Sequence, residues 1–157
     1  MRKDLAEKIK EALTRCGKTL SAAESCTGGR IAATLTSVSG ASDYFQGGLV
    51  AYQDAVKVRF LGVKQADIEQ YDVVSRQVVE QMVRGACELF HTDYALASTG
   101  YAEGSHHGIA SGTIWIAWGS RDEVHSSVLT TDRGREWNTE NAVEQVLQEF
   151  LSSLSAT

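Results

Sequence analysis

The sequence predicts an α/β fold, a single layered domain over residues 1–157 with a mixed β-sheet flanked by helices. Three observations predict it. Segments with helical apolar spacing alternate with short apolar runs of strand length. The last two strand candidates are joined by a hairpin signal, so part of the sheet is antiparallel. A chain of 157 residues suits one domain. That length buries roughly two-thirds of the unfolded surface, so no metal or disulfide staple is required.

Leu5, Ile9, Ala12 and Leu13 recur at helical spacing, which predicts an amphipathic helix over residues 3–16 with Gly17 as its stop. Thr19–Ala23 is a short strand. Ser25 or Thr27 then caps a second helix that runs to about Val38 and turns Ile31, Ala32 and Leu35 inward. Gly47–Tyr52 is a second strand. Asp54 is the N-cap of a helix from Ala55 to Leu61, ended by Gly62. Ser75 caps a strong helix, Ser75–His91, with a stripe of Val78, Val79, Met82, Ala86 and Leu89. Tyr94–Ser98 reads as a buried strand, and TGYAEGSHHGIASG after it as a glycine-bearing loop. Thr113–Trp118 and Val124–Thr130 are strands joined by GSRDE, and Glu136–Leu154 closes the chain as a helix. Repeats and low-complexity tracts are absent from the sequence.

Composition narrows the function. Hydrophobic content of 43% and charged content of 22% are those of an ordinary soluble protein. A net charge of −5 excludes a broad nucleic-acid-binding face but leaves room for a small basic cluster facing a phosphate. With no proline, turns rest on 14 glycines and on Asn, Asp and Ser. Cys16, Cys26 and Cys87 are odd in number and form no CxxC pair, as expected of reduced thiols in a cytoplasmic protein. The charged N-terminus lacks the apolar region of a signal peptide, and no run approaches the ~20 apolar residues of a membrane span.

The run TLSAAESCTGG concentrates the chemistry. A strand entering a glycine turn and then a helix sets Ser25, Cys26 and Thr27 at the sheet edge, beside unpaired helical amides. Such a terminus favours a phosphate or a developing oxyanion. From the residues alone, these hydroxyls either cap the helix or carry chemistry. A serine attacks only when a base takes its proton. Of His91, His106, His107 and His125, none has neighbours that mark a triad, and the adjacent pair lacks further ligands at metal-site spacing. Lys57 is the other candidate base, three residues past Asp54 and five past Tyr52. It is either a solvated surface lysine or, if desolvated, an acceptor of the serine proton.

The motifs Glu24–Gly29, Ala41-Ser42-Asp43-Tyr44-Phe45-Gln46-Gly47 and Tyr52–Val63 together resemble the CinA C-terminal domain family. So does VSRQVVEQMVRGACELFHTDYALASTG, and the likeness extends over essentially the whole chain. The family includes PncC-type deamidases, which hydrolyse the carboxamide of nicotinamide mononucleotide (NMN) to the acid and ammonia in pyridine nucleotide salvage. The resemblance implies Ser25 as nucleophile, Lys57 as base, and Tyr52 as the hydroxyl that orients the lysine or relays a proton. Backbone amides near Cys26 and Thr27 would form the oxyanion site. Substrate-binding positions are Cys26, Thr27, Gly28, Thr99, Gly100 and Arg135. It implies no metal or cofactor, a small pyridine nucleotide or related amide as partner, and a homodimer or larger homo-oligomer. Phe45, Phe60 and Trp137 are the candidate interface aromatics.

The chain departs from the family pattern in three places. The substrate loop carries Ala102-Glu103-Gly104 and Ile109-Ala110 in place of A-G-P and K-P, and Glu103 would repel a phosphate. The second arginine of the late segment is Thr139. Asp54 replaces an asparagine and would hold Lys57 charged. Two functions are therefore open: an amidohydrolase with an altered pocket, or a paralogue without deamidase activity that binds a nucleotide or a protein.

Overall fold

The computed structural model describes residues 2–155. Five strands form one sheet in the order β2-β1-β3-β4-β5. They are β1 (Leu20–Glu24), β2 (Phe45–Val50), β3 (Tyr94–Gly100), β4 (Ile114–Gly119) and β5 (Val124–Leu129). β1 runs parallel to both β2 and β3, whereas β3–β4 and β4–β5 are antiparallel. The sheet is thus mixed, as the hairpin signal predicts. Helices α1 (Arg2–Cys16), α2 (Arg30–Thr36) and α6 (Arg135–Ser155) pack with one another on one face. Helices α3 (Asp54–Leu61), α4 (Gln65–Tyr71) and α5 (Arg76–Phe90) lie on the other.

Two cores follow from this layering. On the first face Ile9, Leu13, Ile31, Leu35, Val146 and Phe150 pack on Leu20, Leu96, Ile114 and Ile116. On the second, Val78, Val79, Met82 and Val83 of α5 pack on Ala23, Ala95, Ala97 and Ala117. The small side chains of that second sheet face admit α5 closely. Every residue of β1 is buried, as expected of a central strand covered by helices on both sides.

Local chemistry explains most boundaries. Ser75 Oγ accepts from Val78 N at 3.2 Å, the predicted cap of α5. His91 ends that helix in the left-handed region, with φ 55. The start of α2 differs from expectation. Neither Ser25 nor Thr27 caps it. The helix begins at Arg30 after Gly29, whose φ of 97 is left-handed. Its first amides are instead taken by Glu24, where Oε1 accepts from Ile31 N and Oε2 from Ala32 N, both at 2.9 Å. Gly28 and Gly29, both at positive φ, bend the chain back so that this carboxylate reaches the helix start. Asp54 is the first helical residue of α3 rather than its cap, and Gln53 before it makes no side-chain capping bond. β2 begins at Phe45, two residues before the predicted start. Helix α4 was not predicted. It buries no residue, so it leaves no apolar stripe in the sequence.

One contact fixes α3, the helix that carries Lys57. Gly85 of α5 lies against the end of α3, where an added Cβ would sit 2.0 Å from the Leu61 carbonyl oxygen. Backbone cannot yield to that overlap as a side-chain tip would. Gly85→Ala is therefore expected to push α3 off α5 and lower stability by roughly 1–3 kcal/mol. Thermal unfolding of the variant against the parent checks this, and an unchanged Tm would contradict it.

Candidate active site

The chain leaves β1 toward β2 through α2 on one face, then crosses back through α3–α5 on the other face to reach β3. The connections therefore diverge at the carboxyl ends of β1 and β3, the place where open α/β sheets bind ligands. Ser25 follows β1 directly, and Thr99 and Gly100 end β3. A cavity of about 250 Å³ opens there.

Ser25 is held from behind. Its N–H donates to Ser98 O at 3.1 Å and lies 3.3 Å from Ser98 Oγ. Thr27 Oγ1 donates to Glu24 Oε1 at 2.6 Å. Its single proton is thereby spent, so Ser98 must be the donor in the 2.7 Å contact between Ser98 Oγ and Thr27 Oγ1. The lone pairs of Ser98 Oγ are then free to face Ser25 N. A buried carboxylate thus sets the direction of the hydrogen bonds beneath the turn. Gly28 N donates to Ser25 O at 3.0 Å. Among the described residues, no backbone carbonyl takes the N–H of Cys26 or of Thr27.

In front of Ser25 stands Lys57. Its Nζ lies 3.0 Å from Ser25 Oγ and donates to the Tyr52 carbonyl at 3.2 Å. Lys57 is 1% exposed. Burial pulls its pKa below the ordinary 10.5, against an opposing pull from Asp54 and Cys26. The influence expected of Asp54 is present, but desolvation outweighs it. The Cys26 thiol is pushed up to about 12, chiefly by burial, so it keeps its proton at neutral pH and is no rival nucleophile.

Of the residues expected at the site, Ser25, Cys26, Tyr52, Lys57, Thr99, Gly100 and Arg135 line the cavity. Thr27 is fully buried beneath the turn, and Gly28 is exposed on its outside, so neither side of the turn reaches the cavity there. The Tyr52 hydroxyl does not touch Lys57. It accepts from Arg135 Nη2 at 3.0 Å, and Tyr52 reaches the lysine through its main-chain oxygen. Gly100 is required by sheet packing, since a Cβ there would lie 2.5 Å from Ile114 Cγ1. Thr99 Oγ1 is spent on Val73 O at 3.1 Å. Arg135 Nη1 donates to Glu103 Oε1 at 3.1 Å, which closes a chain Tyr52–Arg135–Glu103 across the mouth.

Sequence reasoning missed one wall of the site. Asp72 accepts from Tyr101 Oη at 2.7 Å and Val74 N at 3.0 Å, and meets His107 Nδ1 at 2.8 Å. Burial and this hydrogen bond raise the Tyr101 phenol above its ordinary range. Asp72 itself has φ 78, a left-handed value uncommon outside glycine. Tyr101, Val73 and Val74 all line the cavity, so Asp72 ties its wall together. Nothing local in the sequence joins Asp72 to residues about thirty positions away. Ser98 was likewise missed, since a serine near the end of a buried strand carries no signal of its own. Among the described residues, no group of three or more His, Cys, Asp or Glu is placed to hold a metal ion, and no helix is long and apolar enough to cross a membrane.

Comparison with known proteins gives a consistent picture. The family model of the CinA C-terminal domain matches residues 2–154. A CinA-like protein of Flavobacterium psychrophilum is 42% identical over 139 residues, covering 87% of this chain and 33% of that protein. A nicotinamide-nucleotide amidohydrolase PncC of Shewanella oneidensis is 43% identical over 131 residues, covering 82% of this chain and 31% of that one. The chain thus spans about a third of the length of the curated relatives it matches. The crystal structure of a competence or damage-inducible protein from Enterobacter asburiae superposes with a TM-score of 0.95 at 33% identity and covers 98% of each chain.

The buried lysine makes stability depend on pH. A lysine whose folded pKa is lowered binds fewer protons in the folded state between that pKa and 10.5. Its destabilisation is fully present below the lowered pKa and is relieved as pH rises toward 10.5. Lys57→Met removes the group. The stability of the parent relative to Lys57→Met is therefore expected to rise with pH through that window and to level off above it. Denaturant midpoints of both proteins across the alkaline range check this, and a flat or falling difference would contradict it.

Proposed function

The chain belongs to the CinA C-terminal domain family, and on that premise we propose that it is an amidohydrolase acting on NMN or a related carboxamide. The observation that carries this reading is the 3.0 Å approach of Lys57 Nζ to Ser25 Oγ at the foot of a cavity. A neutral amine there accepts the serine proton, as a solvated ammonium does not. Ser25 Oγ then bonds to the amide carbon, and its proton passes to Lys57. The N–H groups of Cys26 and Thr27 take the charge that develops on the carbonyl oxygen. The C–N bond breaks, the nitrogen takes the proton from Lys57, and ammonia leaves an ester on Ser25. Lys57 next takes a proton from water, whose oxygen attacks that ester. The same proton returns to Ser25 Oγ as the acid departs. The balance is amide plus water to acid plus ammonia, and no step uses a metal or organic cofactor.

In this reading Tyr52 acts in two ways. Its carbonyl orients the lysine, and its hydroxyl holds Arg135 at the mouth. A homodimer or larger assembly in the cytoplasm belongs to the same proposal. It is supported by three free cysteines and by Phe60, which is 45% exposed while Phe45 and Trp137 are half-buried. A second reading is a nucleotide-binding or protein-interaction module without turnover. One observation favours it: the guanidinium that a phosphate would seek is already paired with Glu103.

Ammonia release decides between the two. The protein incubated with NMN and related carboxamides is expected to release ammonia, and Ser25→Ala to release it at least ~10³-fold more slowly. No ammonia from any amide at micromolar protein would overturn the enzymatic reading in favour of the module.

A further inference from the structure

We propose that Glu103 makes this pocket a charge filter, favouring a cationic pyridinium carboxamide without a phosphate over the corresponding phosphomonoester. The inference rests on the amidohydrolase reading and names the substrate class of that site. Its ground is the charge arrangement of the cavity.

Two carboxylates, Asp54 and Glu103, line the cavity together with Lys57, Arg135 and the imidazole of His106. Lys57 is buried at its foot and committed to Ser25 Oγ and the Tyr52 carbonyl. Arg135 is then the arginine or lysine left at the mouth, and both its amino groups are engaged, Nη1 by Glu103 and Nη2 by the Tyr52 hydroxyl. A phosphate dianion that seeks Arg135 meets a guanidinium whose charge is already balanced by Glu103, and it must sit beside that carboxylate. A pyridinium ring meets the opposite balance. It is drawn toward Asp54 and Glu103. The wall also carries the Tyr101 ring, packed 4.6 Å from the His106 ring, as an aromatic surface beside the cavity.

The filter is graded. The side chains of Arg135 and Glu103 are 51% and 62% exposed, so their pair is screened by solvent and a strong anion can break it. The expected discrimination is roughly three- to tenfold and shrinks as salt is added.

The test compares nicotinamide riboside with NMN. Binding is measured by calorimetry on the Ser25→Ala protein, and kcat/KM on the parent. The riboside is expected to bind at least as tightly as NMN. Glu103→Gln is expected to move the ratio of the two Kd values toward NMN by roughly three- to tenfold at low salt. In an Arg135→Gln background, where Glu103 is unpaired, the same change is expected to move the ratio in the same direction. An unmoved ratio on Glu103→Gln, or tighter binding of NMN than of the riboside by the parent pocket, overturns the filter. So does failure of both compounds to bind at millimolar concentration. A ratio that moves as expected without Ser25-dependent turnover upholds the filter and sinks the amidohydrolase. Turnover with an unmoved ratio does the reverse.

Discussion

Lys57 places a primary amine in a site almost closed to water, 3.0 Å from a serine hydroxyl. In water a lysine holds its proton too tightly to accept another from serine. Loss of hydration weakens that hold, and the acid at Asp54 does not restore it in full. The surrounding structure serves this one constraint. The β2–α3 turn delivers the Tyr52 carbonyl to the amine, and Gly85 lets α3 lie directly on α5. The alanine-lined face of the sheet lets α5 come close in turn.

The turn bearing Ser25 is built on a buried carboxyl group. Glu24 caps α2 from seven and eight residues upstream and takes the only proton of Thr27. That fixes Ser98 as a donor to Thr27 and leaves its oxygen toward Ser25 N. Every hydrogen bond under the turn then has one direction. The turn cannot rotate to trade partners without stranding a buried polar group. Among the described residues, the N–H groups of Cys26 and Thr27 have no backbone carbonyl partner. The proposed nucleophile and its proposed oxyanion site are thus set by one carboxylate. The motif residues Glu24, Thr27, Gly28 and Gly29 form this support, while Ser25 faces the cavity.

Sequence alone carried the elements that bury an apolar stripe. Helices α1, α5 and α6 and the β4–β5 hairpin were legible because their packing faces repeat at fixed spacing. Helix α4 was not, since it has no fully buried residue, and the start of α2 was not, since its cap comes from a preceding strand. At the site, spacing left Lys57 between a surface lysine and a base. The resemblance paired it with Ser25, 32 residues away, and the fold brings the two side chains together. Tyr52 was legible as a position but not in its contacts, because main chain and side chain face different partners. The Asp72 wall and Ser98 left no trace, since each acts through residues brought near only by the fold. Glu103 was legible as an acid in the substrate loop. Its pairing with Arg135 required the three-dimensional mouth.

If Lys57 is a poised base, its own titration in the folded protein shows it. With lysine labelled at Cε, the carbon shift of Lys57 can be followed by NMR across the alkaline range and assigned with Lys57→Met. The expected midpoint lies clearly below 10.5, separated from the surface lysines. A Lys57 that titrates with the surface lysines, or above them, would contradict it.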